Sequence, residues 1–294
     1  MSGRLLVHIG LPKTATTALQ QDVLPQLTEH GVTYAGVRQP RGSGQSGLYD
    51  GLMAMLRGAD PAPVREGLAA ALRHGSVALS EEMVVVSEPS VDWRTKVRRL
   101  GELLAGLDAQ VLVTVRSPAE ALFSYHVERQ RQPGPARPPF LRDIGSSAYD
   151  IYRYRTLTTL LDEAFDPATV HYLPFEAVTA GEADLIWELL GLPAPERVAP
   201  PVRNQRDRQA DAVHTGVRPT VGDKLKSAVL RAGLGGRSVR RLGRPLVRAL
   251  RTLQLGERTV PTPTEAEWAS LRGALADDAQ ALYERAGIDY RASV

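Results

Sequence analysis

The sequence predicts one α/β domain of three layers, with a central, mainly parallel sheet. The first observation is a set of short apolar runs that have the character of buried strands. The second is their alternation with amphipathic helical segments, a pattern typical of parallel sheets covered on both faces. The third is composition: 294 residues with 43% apolar and 23% charged side chains suit a globular protein with a full core. The strand-like runs are residues 4–9, 76–80, 109–115 and 169–173.

The first predicted unit is a strand, a loop and a helix. Residues 4–9 are nearly all apolar and run into Gly10-Leu11-Pro12. From Thr16 to about Glu29, apolar residues recur at helical spacing. We expect Pro25 to kink or shorten this helix, because proline lacks the amide hydrogen that a helix interior uses.

Later segments predict further helices and one irregular loop. Glycine and serine recur without periodicity in residues 36–47, which indicates a loop. A helix is expected from about Ala119, because Pro118 suits a first helical turn. Residues 264–287 predict a final amphipathic helix. The other predicted helices are residues 48–57, 62–74, 93–107, 149–164 and 181–190.

The pattern changes after about residue 190. We therefore expect a core over residues 1–190 and a helical, arginine-rich extension over residues 191–294. Residues 218–258 hold 11 Lys or Arg against Asp223 and Glu257, a local charge of +9. Such a block is either a solvated surface or a face for a polyanion. Few aromatic residues interleave these cations, so a stacking surface for single-stranded nucleic acid is not expected.

Composition excludes several kinds of site. The chain has no cysteine, so it has no disulfide, no thiolate metal site and no cysteine nucleophile. No run approaches the roughly 18 apolar residues of a membrane-spanning helix, and no signal peptide is evident. We expect a cytoplasmic protein without a membrane span.

The sharpest motif is Gly10-Leu11-Pro12-Lys13-Thr14-Ala15-Thr16-Thr17, which lies where the first strand gives way to a helix. The first amide groups of a helix have no partner within it, and they carry the positive end of its dipole. A lysine and several hydroxyls at that place predict a phosphate-binding loop. The string does not fit a Walker A loop, because Pro12 stands where that motif has glycine and Gly10 is too close to Lys13.

A second motif follows the strand 109–115. Arg116-Ser117-Pro118 stands at its end, and Ser124 follows two helical turns later. A guanidinium group at a strand end can bind a phosphate through two hydrogen bonds, and a serine hydroxyl can contact the same phosphate from another direction. Taken singly, Arg116 also suits an ion pair at a strand end, and Ser124 suits a helix hydroxyl bonded to its own backbone.

The two motifs resemble those of sulfotransferases that use 3′-phosphoadenosine 5′-phosphosulfate. The string Pro12-Lys13-Thr14-Ala15-Thr16-Thr17-Ala18-Leu19 is similar to the family's 5′-phosphosulfate loop, and Arg116 with Ser124 is similar to its 3′-phosphate motif. The resemblance implies a P-loop-type fold and a donor site without metal. It also implies that the product is adenosine 3′,5′-bisphosphate. The implied donor-binding residues are Pro12, Lys13, Thr14, Ala15, Thr16, Thr17, Arg116 and Ser124.

Transfer of a sulfuryl group to a hydroxyl or amine needs a base near the acceptor. Glu81 and Glu82 follow the strand 76–80, at the strand end where ligands bind in parallel folds. The resemblance to Golgi-type carbohydrate sulfotransferases favours Glu81, and Glu82 is the second candidate. Adjacent acids also suit the start of a helix, where the dipole favours them. His8 lies inside the first strand, and we interpret it as a satisfied core histidine.

The acceptor is not defined by the sequence. The resemblance implies a carbohydrate, a lipid or a secondary metabolite, and no nucleic acid is expected as a partner. Arg203, Arg206, Arg208 or an arginine from residues 237–251 can complete the donor site or hold an acidic acceptor. Two other functions stay open. One is a nucleotide-dependent kinase, although the strand 109–115 ends in arginine where a magnesium-binding aspartate is wanted. The other is a polyanion-binding protein that uses residues 218–258.

Overall fold

The computed structural model describes residues 3–37, 46–131, 139–194, 214–217 and 258–291. The chain divides into two compact units. The first comprises Met1–Ala121, Ser147–Gln205 and Ala274–Val294, and the second comprises Leu122–Ser146 and Arg206–Gly273. The predicted loop 36–47 lies partly outside the described residues, and Arg203, Arg206, Arg208 and almost all of residues 218–258 lie outside them as well.

The first unit is built on a parallel sheet of five strands: β1 (Leu5–Gly10), β2 (Thr33–Tyr34), β3 (Val77–Ser80), β4 (Ala109–Val115) and β5 (Val170–Pro174). Their order across the sheet is β2-β3-β1-β4-β5. In the centre, His8 of β1 lies opposite Ser80 of β3 and Leu112 of β4. All six residues of β1 are buried, as expected for a strand covered on both faces. The predicted α/β class with a parallel sheet is therefore confirmed.

Helices alternate with these strands along the chain. Those of the first three-quarters are α1 (Thr16–Ala18), α2 (Gly47–Leu56), α3 (Ala62–His74), α4 (Trp93–Leu104), α5 (Pro118–Arg131), α6 (Phe140–Asp143), α7 (Tyr154–Ala164), α8 (Phe175–Ala180) and α9 (Asp184–Leu190). The last two are α10 (Glu265–Ala274) and α11 (Ala276–Ala286). No helix in the described ranges is long and apolar enough to cross a membrane.

The core of the first unit lies on both faces of the sheet. On one face, Leu6, Ala78 and Leu112 pack against the helical segment after β1 and against α9. The alternate residues of the strands, among them Val7 and Val111, point the other way and are buried as well. A strand that is apolar on both sides is what the sequence run predicted.

The helix after β1 is shorter than the predicted one, and its winding first changes at Leu19, before Pro25. α1 continues as a π-helical turn over Leu19–Val23 and then as a 3₁₀ helix over Leu24–His30. Pro25 stands in the first turn of that 3₁₀ helix, where its missing amide hydrogen costs no hydrogen bond. The segment ends at Gly31, which has a φ of 77°.

Several elements differ from the sequence prediction, among them two helices and one strand. The helix expected over residues 149–164 is a 3₁₀ helix, Ser147–Tyr152, followed by α7. The helix expected over residues 264–287 is divided into α10 and α11 at Leu275, which is fully buried. The two-residue strand β2 was not predicted. These differences depend on packing against distant residues, which local periodicity does not contain.

The second unit holds most of α5, α6, α10 and an antiparallel pair of strands, β6 (His214–Val217) and β7 (Arg258–Pro261). An aromatic cluster forms within it, since the ring of Phe123 lies 5.2 Å from that of Phe140 and 5.5 Å from that of Trp268. The sequence predicted helices here but not the strand pair.

Candidate active site

The loop of residues 10–17, for which the sequence predicts phosphate binding, joins β1 to α1 and is called the phosphate loop below. Lys13 and Ala15 have φ values of 70° and 64°, in the left-handed region that residues other than glycine seldom adopt. Left-handed residues beside right-handed ones turn successive backbone amide groups toward a common point, which is the geometry of anion-binding concavities. The described residues contain no hydrogen-bond acceptor for the amide groups of residues 14–17. The loop therefore offers four amide donors beside a lysine.

The inner side of this loop is held by hydrogen bonds. The Thr14 hydroxyl donates to the Leu11 carbonyl at 2.6 Å, and the Thr16 hydroxyl donates to the same carbonyl at 3.2 Å. The Tyr152 hydroxyl donates to the Pro12 carbonyl at 2.6 Å. A Cβ at Gly10 would lie 2.2 Å from Thr16 Oγ1, so only glycine permits this close turn. The Leu11 and Pro12 carbonyls and the Thr14 and Thr16 hydroxyls thus have hydrogen-bond partners within the protein.

Glu81 directly follows β3, whose carboxyl end lies beside that of β1. Its amide donates to the His8 carbonyl at 3.1 Å, which ties it to the strand that leads into the phosphate loop. Its carboxylate is 2% exposed, accepts a hydrogen bond from the Met83 amide at 2.8 Å and accepts another from the Tyr49 hydroxyl. Glu81 is thereby the N-cap of a short 3₁₀ helix, Glu82–Val85. Two donors hold the carboxylate in one orientation at the same sheet edge as Lys13.

Glu82 occupies a different position. It is the first residue of the 3₁₀ helix and is half-buried. Both glutamates therefore stand at the start of a helix, as the alternative interpretation expected, with Glu81 as the N-cap and Glu82 in the first turn. Whether either acts as a base stays a prediction.

Lys96 is a residue that the sequence analysis missed. It is fully buried in α4, and its ammonium group donates to the Met83 and Val86 carbonyls at 2.9 and 2.8 Å and to Glu88 at 2.6 Å. Lys96 thus joins α4 to the segment that follows Glu81 through three hydrogen bonds. A sequence signal existed, because Lys96 lies at helical spacing on the apolar stripe formed by Trp93, Leu100 and Leu103.

Glu88 receives a second cation, because Arg57 donates to it at 2.8 Å. Burial acts to raise the pKa of Glu88, but the hydrogen bonds from Arg57 and Lys96 outweigh burial and lower it. The carboxylate stays ionised, and the buried ammonium group of Lys96 keeps its counter-charge.

Arg116 stands at the end of β4, as predicted. Its guanidinium group is 2.6 Å from Glu120 and lies 4.4 Å from the centre of the Phe175 ring. Its carbonyl accepts a hydrogen bond from the Tyr154 hydroxyl at 2.6 Å, and burial raises the pKa of that hydroxyl. Arg116 thus forms an ion pair at the strand end, which was the alternative to phosphate binding in the sequence analysis. A bound phosphate would compete with Glu120 for the guanidinium group.

Ser124 lies on α5 and is half-buried. Arg116 and the first turn of α5 belong to the first unit, whereas Ser124 belongs to the second. Its pairing with Arg116 around one phosphate stays a prediction. In the described ranges, no group of three or more His, Asp or Glu side chains has the arrangement of a metal site.

Comparison with protein-family models and with curated proteins finds no match to the chain. Among solved structures, the chain is similar to a sulfotransferase from Alicyclobacillus acidocaldarius, at 14% identity and a TM-score of 0.44, over 87% of this chain and 98% of that one. It is also similar to mouse sulfotransferase SULT7A1 complexed with PAP, at 13% identity and a TM-score of 0.37, over 66% of this chain and 61% of that one.

Proposed function

We propose that the chain is a sulfotransferase that moves a sulfuryl group from 3′-phosphoadenosine 5′-phosphosulfate to a hydroxyl or amine of an acceptor. The observation that carries the proposal is the phosphate loop, where four amide groups that have no acceptor among the described residues adjoin Lys13. Glu81 stands at the same edge of the sheet, directly after the neighbouring strand. An anion cradle and an oriented carboxylate at one strand edge suit group transfer from an anionic donor.

The donor would be held at two places. The amide groups of residues 14–17 and the Thr16 and Thr17 hydroxyls would bind the 5′-phosphate, with Pro12 and Ala15 shaping the loop. Lys13 would neutralise the bridging oxygen that becomes the leaving group. Arg116 and Ser124 would bind the 3′-phosphate, with Arg116 exchanging Glu120 for the phosphate.

The reaction would be an in-line displacement. The acceptor oxygen or nitrogen forms a bond to sulfur while the bond from sulfur to the bridging phosphate oxygen breaks. Adenosine 3′,5′-bisphosphate leaves, and the acceptor proton passes to Glu81, or to Glu82 in the second assignment. As in phosphoryl transfer, the protein contributes positioning and charge stabilisation, and no metal is required.

The acceptor proposed is a small molecule or a glycan, within the class of carbohydrates, lipids and secondary metabolites. We further propose a single sulfotransferase-like domain, in which residues 1–190 bind the nucleotide and residues 191–294 form an extension. A cytoplasmic location fits a chain without cysteine.

Titration calorimetry with adenosine 3′,5′-bisphosphate tests the donor site without knowledge of the acceptor. We expect metal-independent binding that Lys13→Ala weakens by at least about tenfold, because a charge-assisted contact to phosphate is lost. Arg73→Ala is the matched control, since Arg73 is an exposed cation on α3 and should leave the affinity unchanged.

A parallel titration with ATP and Mg²⁺ separates the alternatives. Binding of ATP with Mg²⁺ but not of the bisphosphate would replace the proposal with the kinase. Binding of neither nucleotide, together with salt-sensitive binding of heparin, would favour the polyanion-binding protein.

A further inference from the structure

Five buried polar side chains form a continuous chain of hydrogen bonds beneath the phosphate loop. We call it the His8 chain; its members are Gln20, Ser80, His8, Thr114 and Thr14, each at most 3% exposed. The successive distances are 3.1 Å from Gln20 to Ser80, 2.8 Å from Ser80 to His8, 3.3 Å from His8 to Thr114 and 2.6 Å from Thr114 to Thr14. The chain crosses the three central strands and ends in the phosphate loop.

The direction of the hydrogen bonds is decided at the loop end. The Leu11 carbonyl can only accept, so the Thr14 hydroxyl uses its single hydrogen to donate to Leu11. In the bond between Thr14 and Thr114, Thr114 must therefore be the donor. Thr114 then has no hydrogen left and must accept from its other neighbour.

That neighbour is Nε2 of His8, which therefore carries a hydrogen. Burial lowers the pKa of His8 to about 3, so the ring is neutral and Nδ1 has a free lone pair. Ser80 accordingly donates to Nδ1 and accepts from the Gln20 amide. The donor and the acceptor of each bond in the His8 chain are thereby assigned. The four bonds of the chain and the bond from Thr14 to Leu11 all run in one direction, toward the loop.

The loop end of this chain lies at the strained part of the backbone. Thr14 stands between Lys13 and Ala15, the two residues with positive φ. Such conformations persist only where surrounding contacts hold them. At the other end, Ser80 immediately precedes Glu81. Apolar side chains at these positions would fill the core equally well. A polar network in which every hydrogen bond is made also fixes the relative positions of the segments that it joins.

We propose that His8 is a positioning residue: as the neutral Nε2–H tautomer, it donates to Thr114 and accepts from Ser80, and so holds the phosphate loop in its anion-binding shape relative to the strand end that bears Glu81. The expected effect of His8 on donor binding rests on the proposed function. The hydrogen-bond arrangement around His8 is independent of that function.

Two substitutions at His8 separate the two bonds. In His8→Gln the side-chain amide nitrogen can occupy the place of Nε2 and donate to Thr114. In His8→Asn the shorter amide reaches Ser80 but not Thr114. We expect His8→Asn to weaken binding of adenosine 3′,5′-bisphosphate about tenfold, and His8→Gln to stay within about threefold of the wild type.

A second pair on the neighbouring strand tests the same bond from its other side. Thr114→Val keeps the shape and removes the hydroxyl, whereas Thr114→Ser restores it. The valine variant should lose about tenfold in affinity and the serine variant should regain most of it. Rescue by serine distinguishes positioning from a general packing defect.

Two ligand-free measurements keep the inference testable if a variant is unstable or if the wild type binds no bisphosphate. Ring ¹⁵N and ¹³C shifts of the wild type should report the Nε2–H tautomer of His8. Amide hydrogen exchange of residues 11–17 should be several-fold faster in His8→Asn than in His8→Gln. A His8 ring protonated at Nδ1, or equal amide exchange in the two variants, overturns the inference. If the wild type does not bind the bisphosphate but both ligand-free results are as expected, only the proposed function is overturned.

Discussion

The ammonium group of Lys96 lies 2.6 Å from a carboxylate oxygen of Glu88, and Lys96 itself is fully buried. Its other two bonds go to main-chain carbonyls of the segment after Glu81. A buried cation with three acceptors is satisfied, and removal of the cation takes one donor from each of these acceptors. The residue therefore links the stability of α4 to the position of the candidate base.

Replacement of Lys96 by methionine tests this link. We expect Lys96→Met to lower the free energy of unfolding by about 3 kcal/mol, because the partly buried Met83 and Val86 carbonyls each lose one hydrogen bond and Glu88 loses one of its two cations. Urea denaturation at pH 7 measures the change. Arg98→Met, at an exposed position of the same helix, should change stability by less than about 0.5 kcal/mol. Equal effects of the two substitutions would contradict the assignment.

The burial of His8 predicts a loss of stability in acid. The pKa of His8 is lowered to about 3 in the folded protein, whereas an unfolded chain binds this proton near its ordinary pKa of about 6.5. The stabilisation is present above the unfolded pKa and is lost as pH falls toward the folded one. This group alone should cost about 2 kcal/mol between pH 7 and pH 5.

The measurement compares unfolding free energies of the wild type and His8→Gln at several pH values. The difference between the two proteins isolates this histidine from the carboxylates that titrate in the same range. If both proteins lose stability in parallel from pH 7 to pH 5, His8 is not a buried neutral base.

The assignment of Glu81 predicts a separation of binding from turnover. Glu81→Gln keeps one oxygen to accept from the Met83 amide, so the 3₁₀ helix should form as before. The Tyr49 hydroxyl, which donates to the other carboxylate oxygen of Glu81, can accept from the new amide nitrogen instead. Binding of adenosine 3′,5′-bisphosphate should be unchanged, and the rate of its release from the donor in the presence of an acceptor should fall by about 10²–10⁴-fold. Glu82→Gln is the control. A larger effect of Glu82→Gln than of Glu81→Gln would transfer the role of base to Glu82.

The ion pair of Arg116 with Glu120 predicts competition with the 3′-phosphate. Glu120 is 42% exposed and Arg116 15% exposed, so the pair can open toward a ligand. Arg116→Ala should weaken binding of the bisphosphate by at least about tenfold, and Glu120→Gln should strengthen it by about threefold.

Adenosine 5′-phosphate, which lacks the 3′-phosphate, is the matched ligand for this test. Its affinity should be the same in the wild type and in Arg116→Ala. If the arginine substitution weakens both nucleotides equally, Arg116 does not contact the 3′-phosphate.

Much of the fold was predictable because its elements are locally encoded. The strand Ala109–Val115 has the bounds predicted for it, and the helices Gly47–Leu56 and Ala62–His74 agree with prediction to within a residue. Pro25 indicated a kink or shortening of the first helix, because proline lacks the amide hydrogen that a helix interior uses. By contrast, the break at Leu275 was not predicted, although Gly273 lies two residues before it. After the break, α11 is held to α7 by the Arg155 amide, which donates to Asp278 at 3.1 Å.

The sequence by itself determined the class of fold, the position of the loop 10–17 between a strand and a helix, and the placing of Glu81 and Arg116 at strand ends, because periodicity and strand-end chemistry are properties of neighbouring residues. Tertiary structure alone decided which distant side chains complete the site: Tyr49 on Glu81, Glu120 on Arg116, and the polar side chains around His8. The reason is physical. Hydrogen-bond partners in a parallel sheet come from strands separated by up to about a hundred residues, and their pairing is fixed by register and burial of the whole core.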